Sequence, residues 1–398
     1  MKVVVLLGEG ISDGPVAGLG GKTPLEVAET PNLDHIASRG LLGLTRLEAR
    51  NAVACTGAGV LAVLGYDPAR HPSSCGPLDA AGLGLTLGPQ DLALRVDLVR
   101  LETNEAGVEV LRQASAAWLP ESEARTLAAD LATGLAQEGL ELYPAHAGRL
   151  VLVWRQGDAA VRTTPPHQLF DKPVADRLPT GPRADVLRDL IVRSRALLAS
   201  HPVCLARRAV GDVAPTELWP WDAGGPLRLP PLRARHDVSG AVVAADPLVR
   251  GAGRLTGLRV VDVAPDAGAA TLVETALRAL TDVDFLLLHE GSAAAASLAG
   301  DAPRKVGAIE RFDAEVVGPL LAGLRATGEP WRLLVMPPQE LTSTGRAPTT
   351  EPVPFTVYVS GDDAKTAGAA RRFHERDARD SGIFLPEAHG LMERLLRR

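Results

Sequence analysis

The stretch best suited to chemistry is Asn51–Pro68, NAVACTGAGVLAVLGYDP. Thr56 stands where a helix N-cap belongs, at the head of an apolar run ending at Leu64, and Gly57 and Gly59 leave the first backbone N–H groups uncovered. Such a helix start attracts anions, because unpaired N–H groups and the positive end of the helix dipole point outward. A hydroxyl there is also placed to act as a nucleophile toward a phosphoryl group. The same residues suit an ordinary threonine cap that ends a surface turn. Cys55 comes just before Thr56; a helix start lowers a thiol pKa, whereas the commoner buried cysteine is inert.

Elements that would position this stretch lie on both sides of it. Lys2–Leu7 (KVVVLL) is a β-branched apolar run ending in glycines, which reads as a buried parallel strand whose carboxyl end faces a ligand. Thr30–Ser38 reads as a short helix with Pro31 in its first turn, and Leu41–Leu47 as a second strand. From about Gly76 the texture changes. Ala93–Leu101 alternates as a half-buried strand, Pro120–Glu138 is an amphipathic helix, Leu140–Tyr143 and Arg149–Arg155 are strands, Pro165–Pro182 is proline-rich loop, and Arg183–Ser200 is a helix. Trp219–Pro231 looks like a linker. Strands at Ala241–Ala245, Leu258–Val263, Val283–His289, Trp331–Met336 and Pro354–Ser360 then alternate with helices at Ala269–Leu280, Pro303–Thr327 and Pro386–Arg397. Gly318-Pro319 should kink or break the longest of these helices. The pattern predicts an α/β protein: a discontinuous core of residues 1–77 and 235–398, with an α+β domain, residues 78–234, inserted into it as a substrate-binding or lid domain.

The chain has 398 residues, 46% of them apolar, which is enough for two domains and a sizeable core. Its net charge is −6 and it has no basic run, which argues against a nucleic-acid partner. Cys55, Cys75 and Cys204 are odd in number and far apart, and form neither a disulfide framework nor a CxxC metal site. Met1–Leu7 is too short for a signal sequence, and no apolar run approaches a membrane span, so a soluble cytoplasmic protein is expected.

In order, these segments resemble the archaeal-type 2,3-bisphosphoglycerate-independent phosphoglycerate mutases of the alkaline phosphatase superfamily. The resemblance spans nearly the whole chain. It is carried by Gly20–Glu26 (GGKTPLE), Thr30–Asp34 (TPNLD), Leu64–Pro68 (LGYDP), Gly76–Ala80 (GPLDA), His201–Val203 (HPV), Trp219–Trp221 (WPW), Ala308–Pro319 (AIERFDAEVVGP) and Pro352–Phe355 (PVPF). It implies an alkaline-phosphatase-like sheet with helices on both faces. It also implies a reaction in which two divalent metals activate a serine that carries the phosphoryl group between two hydroxyls of glycerate.

The positions matching the family's reactive residues are substituted. The first-strand ligand aspartate is Glu9 and the nucleophilic serine is Thr56, followed by Gly57. The remaining ligand positions are Ala294, Leu298, Pro338, Gln339 and Pro348, none of which can bind metal as aspartate or histidine does. A family arginine before GPLDA is Cys75 and another in the inserted domain is Trp118. Arg95, Arg149, His167 and Arg250 remain at matching polar positions, where they either hold a phosphate or carboxylate or serve as ordinary ion pairs and a loop histidine. Glu9 with Glu290 or Asp301, near Asp13 and His289, is a weak candidate for one oxygen-loving cation.

Three functions stay open on this reading. One is a catalytically degenerate homologue that binds a small phosphorylated or carboxylate anion at Thr56, Gly57, Gly59, Arg95, Arg149, His167 and Arg250 without a cofactor. Another is an active mutase or phosphotransferase using Thr56 and a rebuilt Mn or Mg site. The last is a regulatory subunit that pairs with itself or with an intact paralogue.

Overall fold

A computed structural model describes residues 1–48, 56–116, 118–264, 266–361 and 371–397. Cys55 and the other residues before Thr56 in the NAVAC segment lie outside them. In chain order the strands are β1 Lys2–Gly8, β2 Leu41–Thr45, β3 Leu92–Thr103, β4 Glu109–Gln113, β5 Leu140–Pro144, β6 Leu150–Trp154, β7 Glu217–Gly224 and β8 Gly240–Val243. They continue with β9 Arg259–Val261, β10 Phe285–Glu290, β11 Trp331–Met336, β12 Glu340–Thr342, β13 Ala347–Thr349, β14 Val353–Val359 and β15 Phe384–Leu385. The chain divides into two compact units, Met1–Pro72 with Leu229–Arg398, and Ser73–Arg228.

The first unit is built on an eight-stranded sheet in the order β15-β2-β14-β11-β1-β10-β8-β9. The central strands β11, β1, β10 and β8 are parallel and almost wholly buried, as continuous Val/Leu runs covered on both faces must be. Register sets the site: Gly8 stands opposite Glu290 and Leu7 opposite Met336. The loops leaving β1, β10 and β11 therefore start at neighbouring points on one sheet edge.

Glycine is obligatory at two positions packed in or against these connections. Gly10 has φ +83°, and a Cβ there would lie 2.4 Å from the Ala294 nitrogen. A Cβ on Gly59 would lie 1.8 Å from the Pro338 carbonyl oxygen. Gly59 thus lets the helix Thr56–Val63 pack against the loop after β11.

The expected long helix is three segments: an α-helix Ala302–Arg311, a π-helical turn Phe312–Val317, and an α-helix Gly318–Ala326. The irregularity therefore begins at Phe312, six residues before Gly318, and Pro319 directly follows the π segment, whose Gly318 N–H bonds to Asp313 O. The π turn has a structural use. Its buried Asp313 accepts from the backbone N–H of Leu33 (2.7 Å) and Asn32 (3.1 Å) and from Asn32 Nδ2 (2.9 Å). It caps the helix Pro31–Arg39 from outside, where Thr30 makes no side-chain cap.

The second unit is an antiparallel sheet, β4-β3-β6-β5, with β7 also on β3. Helices Glu121–Gly134 and Ala184–Ser200 cover it through Leu127, Leu131, Leu187 and Leu190. Two expectations fail here. β3 is buried on both faces from Leu92 to Val99, not half-buried, because β6 and β7 flank it and helices cover it. The supposed linker at Trp219 is strand β7: Trp219 pairs with Asp97 and Pro220 with Val96. Cys75 is disulfide-bonded, which the odd number and wide spacing of the cysteines did not suggest, and Cys204 is a buried free thiol.

Candidate functional site

In the first unit, residues from two loops, one strand and one helix form a hydrogen-bonded chain at the sheet edge. His289, the last core position of β10, donates through Nε2 to Glu9 Oε2 at 3.1 Å. Thr56, at the start of its helix, donates to Glu9 Oε1 at 3.2 Å. Gln339, after β11, donates through Nε2 to the Thr56 hydroxyl oxygen at 2.5 Å. Glu9 is fixed by backbone as well, since its N–H continues the β1–β10 ladder to Glu290 O at 2.8 Å.

Burial acts on these groups in different directions. It pushes the His289 pKa down, but the Glu9 hydrogen bond and the charges of Glu9, Asp246 and Glu290 outweigh it and leave the imidazole above its ordinary value. Burial lifts the Glu290 carboxyl above the usual carboxylate range despite the Ser292 N–H that bonds to it. Gln339 Oε1 is buried with no hydrogen-bond partner. In chemical terms Thr56 is a hydroxyl held by a carboxylate, itself oriented by an imidazole, with an amide N–H on its oxygen.

The cation set expected around Glu9 does not assemble. Among the described residues no group of three or more His, Cys, Asp or Glu side chains is arranged to hold a metal. Asp301 caps the helix Ala302–Arg311 by accepting from Arg304 N at 3.0 Å, and Asp13 is bonded to Lys305 at 2.8 Å. At the substituted ligand positions, Ala294, Leu298, Pro338 and Pro348 offer no side-chain donor for a two-metal centre. Arg250, in the helix Pro247–Leu255 that packs on Thr56–Val63, is ion-paired to Asp262.

The second unit brings together Arg95, Arg149 and His167. Arg95 gives Nε (2.7 Å) and Nη2 (3.0 Å) to the buried Asp79 carboxylate, and its guanidinium lies 5.8 Å from the Trp221 ring centroid. His167 meets the same ring edge-on at 5.3 Å. Burial, with the Arg95 charge second, lowers the His167 pKa to about 4, so its ring is neutral at pH 7. Asp97 accepts from Trp221 Nε1 at 2.6 Å. Burial raises its pKa, and the charges of Arg95 and Arg149 pull it back. Arg149 donates to His146 O at 3.2 Å.

Sequence reasoning placed Glu9, Thr56 and His289 at strand and helix ends. It treated Gln339 only as a lost ligand, and missed that its amide holds Thr56 from 283 positions away. Trp221 and Asp97, the centre of the second cluster, were missed because the strand that carries Trp221 looked like a linker.

The family model for 2,3-bisphosphoglycerate-independent phosphoglycerate mutase matches residues 37–204. A relative from Geobacter sulfurreducens, described as a probable 2,3-bisphosphoglycerate-independent phosphoglycerate mutase, is 35% identical over 406 residues, covering 100% of both chains. One from Methanothrix thermoacetophila, described as the mutase, is 35% identical over 401 residues, again covering 100% of both. Among solved structures, the PH0037 protein of Pyrococcus horikoshii superposes with TM-score 0.70 at 25% identity, over 99% of this chain and 96% of that one. The cofactor-independent phosphoglycerate mutase of Thermoplasma acidophilum superposes with TM-score 0.55 at 24% identity, over 100% of this chain and 99% of that one, and supports the fold. Sequence along the whole length and the α/β architecture agree, and the chain belongs to the 2,3-bisphosphoglycerate-independent phosphoglycerate mutase family.

Proposed function

We propose that this chain is a degenerate member of the family: it keeps the fold, lacks two-metal phosphoryl transfer, and binds a small phosphorylated or carboxylate anion or acts as a regulatory partner of another protein. The observation that carries the reading is the Gln339–Thr56–Glu9–His289 chain, in which the groups at and beside the reactive positions bond to one another. With Ala294, Leu298, Pro338 and Pro348 at other ligand positions, too few donors remain to neutralise a phosphoryl group. An anion at the Thr56–Val63 helix start would rely on the dipole and neutral hydrogen bonds, each worth about 0.3–2 kcal/mol. Affinity is then roughly millimolar to high micromolar.

Two measurements test this. Purified protein should carry well under one equivalent of Zn²⁺ or Mn²⁺ by elemental analysis, and should not convert 3- to 2-phosphoglycerate with added Mn²⁺ or Mg²⁺. Two metals per chain together with turnover would restore the enzyme. The second reading, an active phosphotransferase, is favoured by one feature: Thr56, Glu9 and His289 stand as nucleophile, base and orienting group. Turnover that is lost in Thr56→Val and kept in Thr56→Ser would select it. A cytoplasmic location and self-association or pairing with a paralogue belong to the same proposal, and co-purification checks the pairing.

A further inference from the structure

A second polar cluster joins the loop after β1 to the segment after β11. Lys305, from the helix Ala302–Arg311, is 0% exposed. Its Nζ donates to Ser12 O (3.0 Å), Asp13 Oδ2 (2.8 Å) and Leu341 O (2.7 Å). These three acceptors use all three donors of an ammonium group. They come from two segments: Ser12 and Asp13 lie in the loop after β1, while Leu341 lies in β12 and its own N–H bonds back to Ser12 O at 3.3 Å. Asp13 Oδ2 also accepts from the Ser343 N–H at 2.9 Å and from its hydroxyl. Buried Glu375 fastens the first loop from the other side. It accepts from the Ser12 hydroxyl (3.0 Å), Asp13 N (3.1 Å) and the Thr23 hydroxyl (2.7 Å).

We propose that Lys305 is a positioning residue for the Thr56 site: its buried ammonium is a tethered cation that ties the loop after β1 to the loop after β11 and so holds Gln339 against the Thr56 hydroxyl. Gln339 lies two positions before Leu341 and has no other side-chain bond to anchor it, since its Oε1 is unpartnered. Its backbone is therefore located by the segment after β11, which Lys305 ties to the loop after β1 alongside the β12–β13 pairing and the Pro338–Gly59 contact. A cation covalently part of the chain performs this cross-link whatever the solution holds. The proposal is independent of whether the site binds an anion or turns one over.

The test is the NMR signal of the Gln339 side-chain amide. The chain has six glutamines and three asparagines, so its carboxamide signals are few, and the loss of one pair in Gln339→Glu assigns it. In the native protein this amide should be shifted from free values and protected from exchange. In folded Lys305→Met it should return to free values and exchange at least about tenfold faster, a coupling of roughly 1.4 kcal/mol. Leu324→Ala, a cavity variant in another helix, should lower thermal stability and leave the Gln339 amide in place. If Lys305→Met does not fold, the isosteric Asp13→Asn, which removes the charge facing the ammonium, is measured instead and should show the same loss of protection. An unchanged Gln339 signal in whichever of these variants folds would overturn the proposal.

Discussion

At the scale of single residues, Thr56 carries the most testable weight. Its hydroxyl donates to Glu9 and accepts from Gln339, so Thr56→Val keeps the shape and leaves a buried amide with no partner at either end. That should cost about 1–3 kcal/mol in chemical denaturation, while Thr56→Ser should cost far less. Equal losses in the two variants would mean that the hydrogen bonds contribute nothing. Two histidines should shape the pH profile in opposite ways. His289 has a raised folded pKa, so its contribution is complete below the ordinary imidazole value of about 6.5 and fades as pH rises through the raised value. Glu9→Gln should therefore narrow its stability gap to the native protein between pH 6 and pH 9. His167 is pushed down to about 4, so the unfolded chain takes up a proton that the folded one refuses, and stability is lost on acidification from about 6.5 toward 4. In His167→Gln the acid limb of stability against pH should be flatter over that window. An unchanged limb would place the acid sensitivity elsewhere.

At the scale of elements, the packing explains why certain short motifs recur in the resemblance to the family. Asp313 of the AIERFDAEVVGP run caps the helix that begins at Pro31 in TPNLD. In the same motif Asp34 accepts from Phe373 N and Arg372 Nε, both at 2.9 Å. These aspartates join segments about 280 and 340 positions away and serve the fold, not the reaction. Asp313→Ala should cost about 1–3 kcal/mol. It should also speed hydrogen exchange at the Asn32 and Leu33 amides more than at Ser38. Uniform acceleration along the helix would point to global loss instead of a lost cap. The elements themselves were legible where local signals agree: Trp331–Met336 and Ala269–Leu280 are as read, because continuous apolar runs and an uninterrupted amphipathic period admit few alternatives. β7 was illegible because Pro220 and the following glycines signal loop, and only pairing with β3 makes it a strand. At the site, the residues at strand ends could be read, but their bonds could not. Gln339 to Thr56 and Lys305 to Asp13 each span more than 280 positions, and no local pattern encodes such a contact.

At the scale of the whole molecule, the two units differ in how their contacts are distributed along the chain. Ser73–Arg228 is one continuous stretch with its own core, centred on Leu94, Leu152, Trp154 and Leu190. Its β5–β6 hairpin pairs residues as close as Pro144 and Leu150. The other unit closes only when the chain is nearly complete, since Val3 pairs with Phe285 on one side and Arg332 on the other. Loop closure over such distances opposes formation until many long-range contacts form together, whereas local pairing is favourable early. Ser73–Arg228 expressed alone should therefore give a cooperative thermal transition. In refolding of the full chain, pulsed hydrogen exchange should show the amides of β5 and β6 protected before those of β1, β10 and β11. Protection of β1 and β10 first, or a fragment that melts without cooperativity, would show that the continuous unit depends on the discontinuous one for its stability.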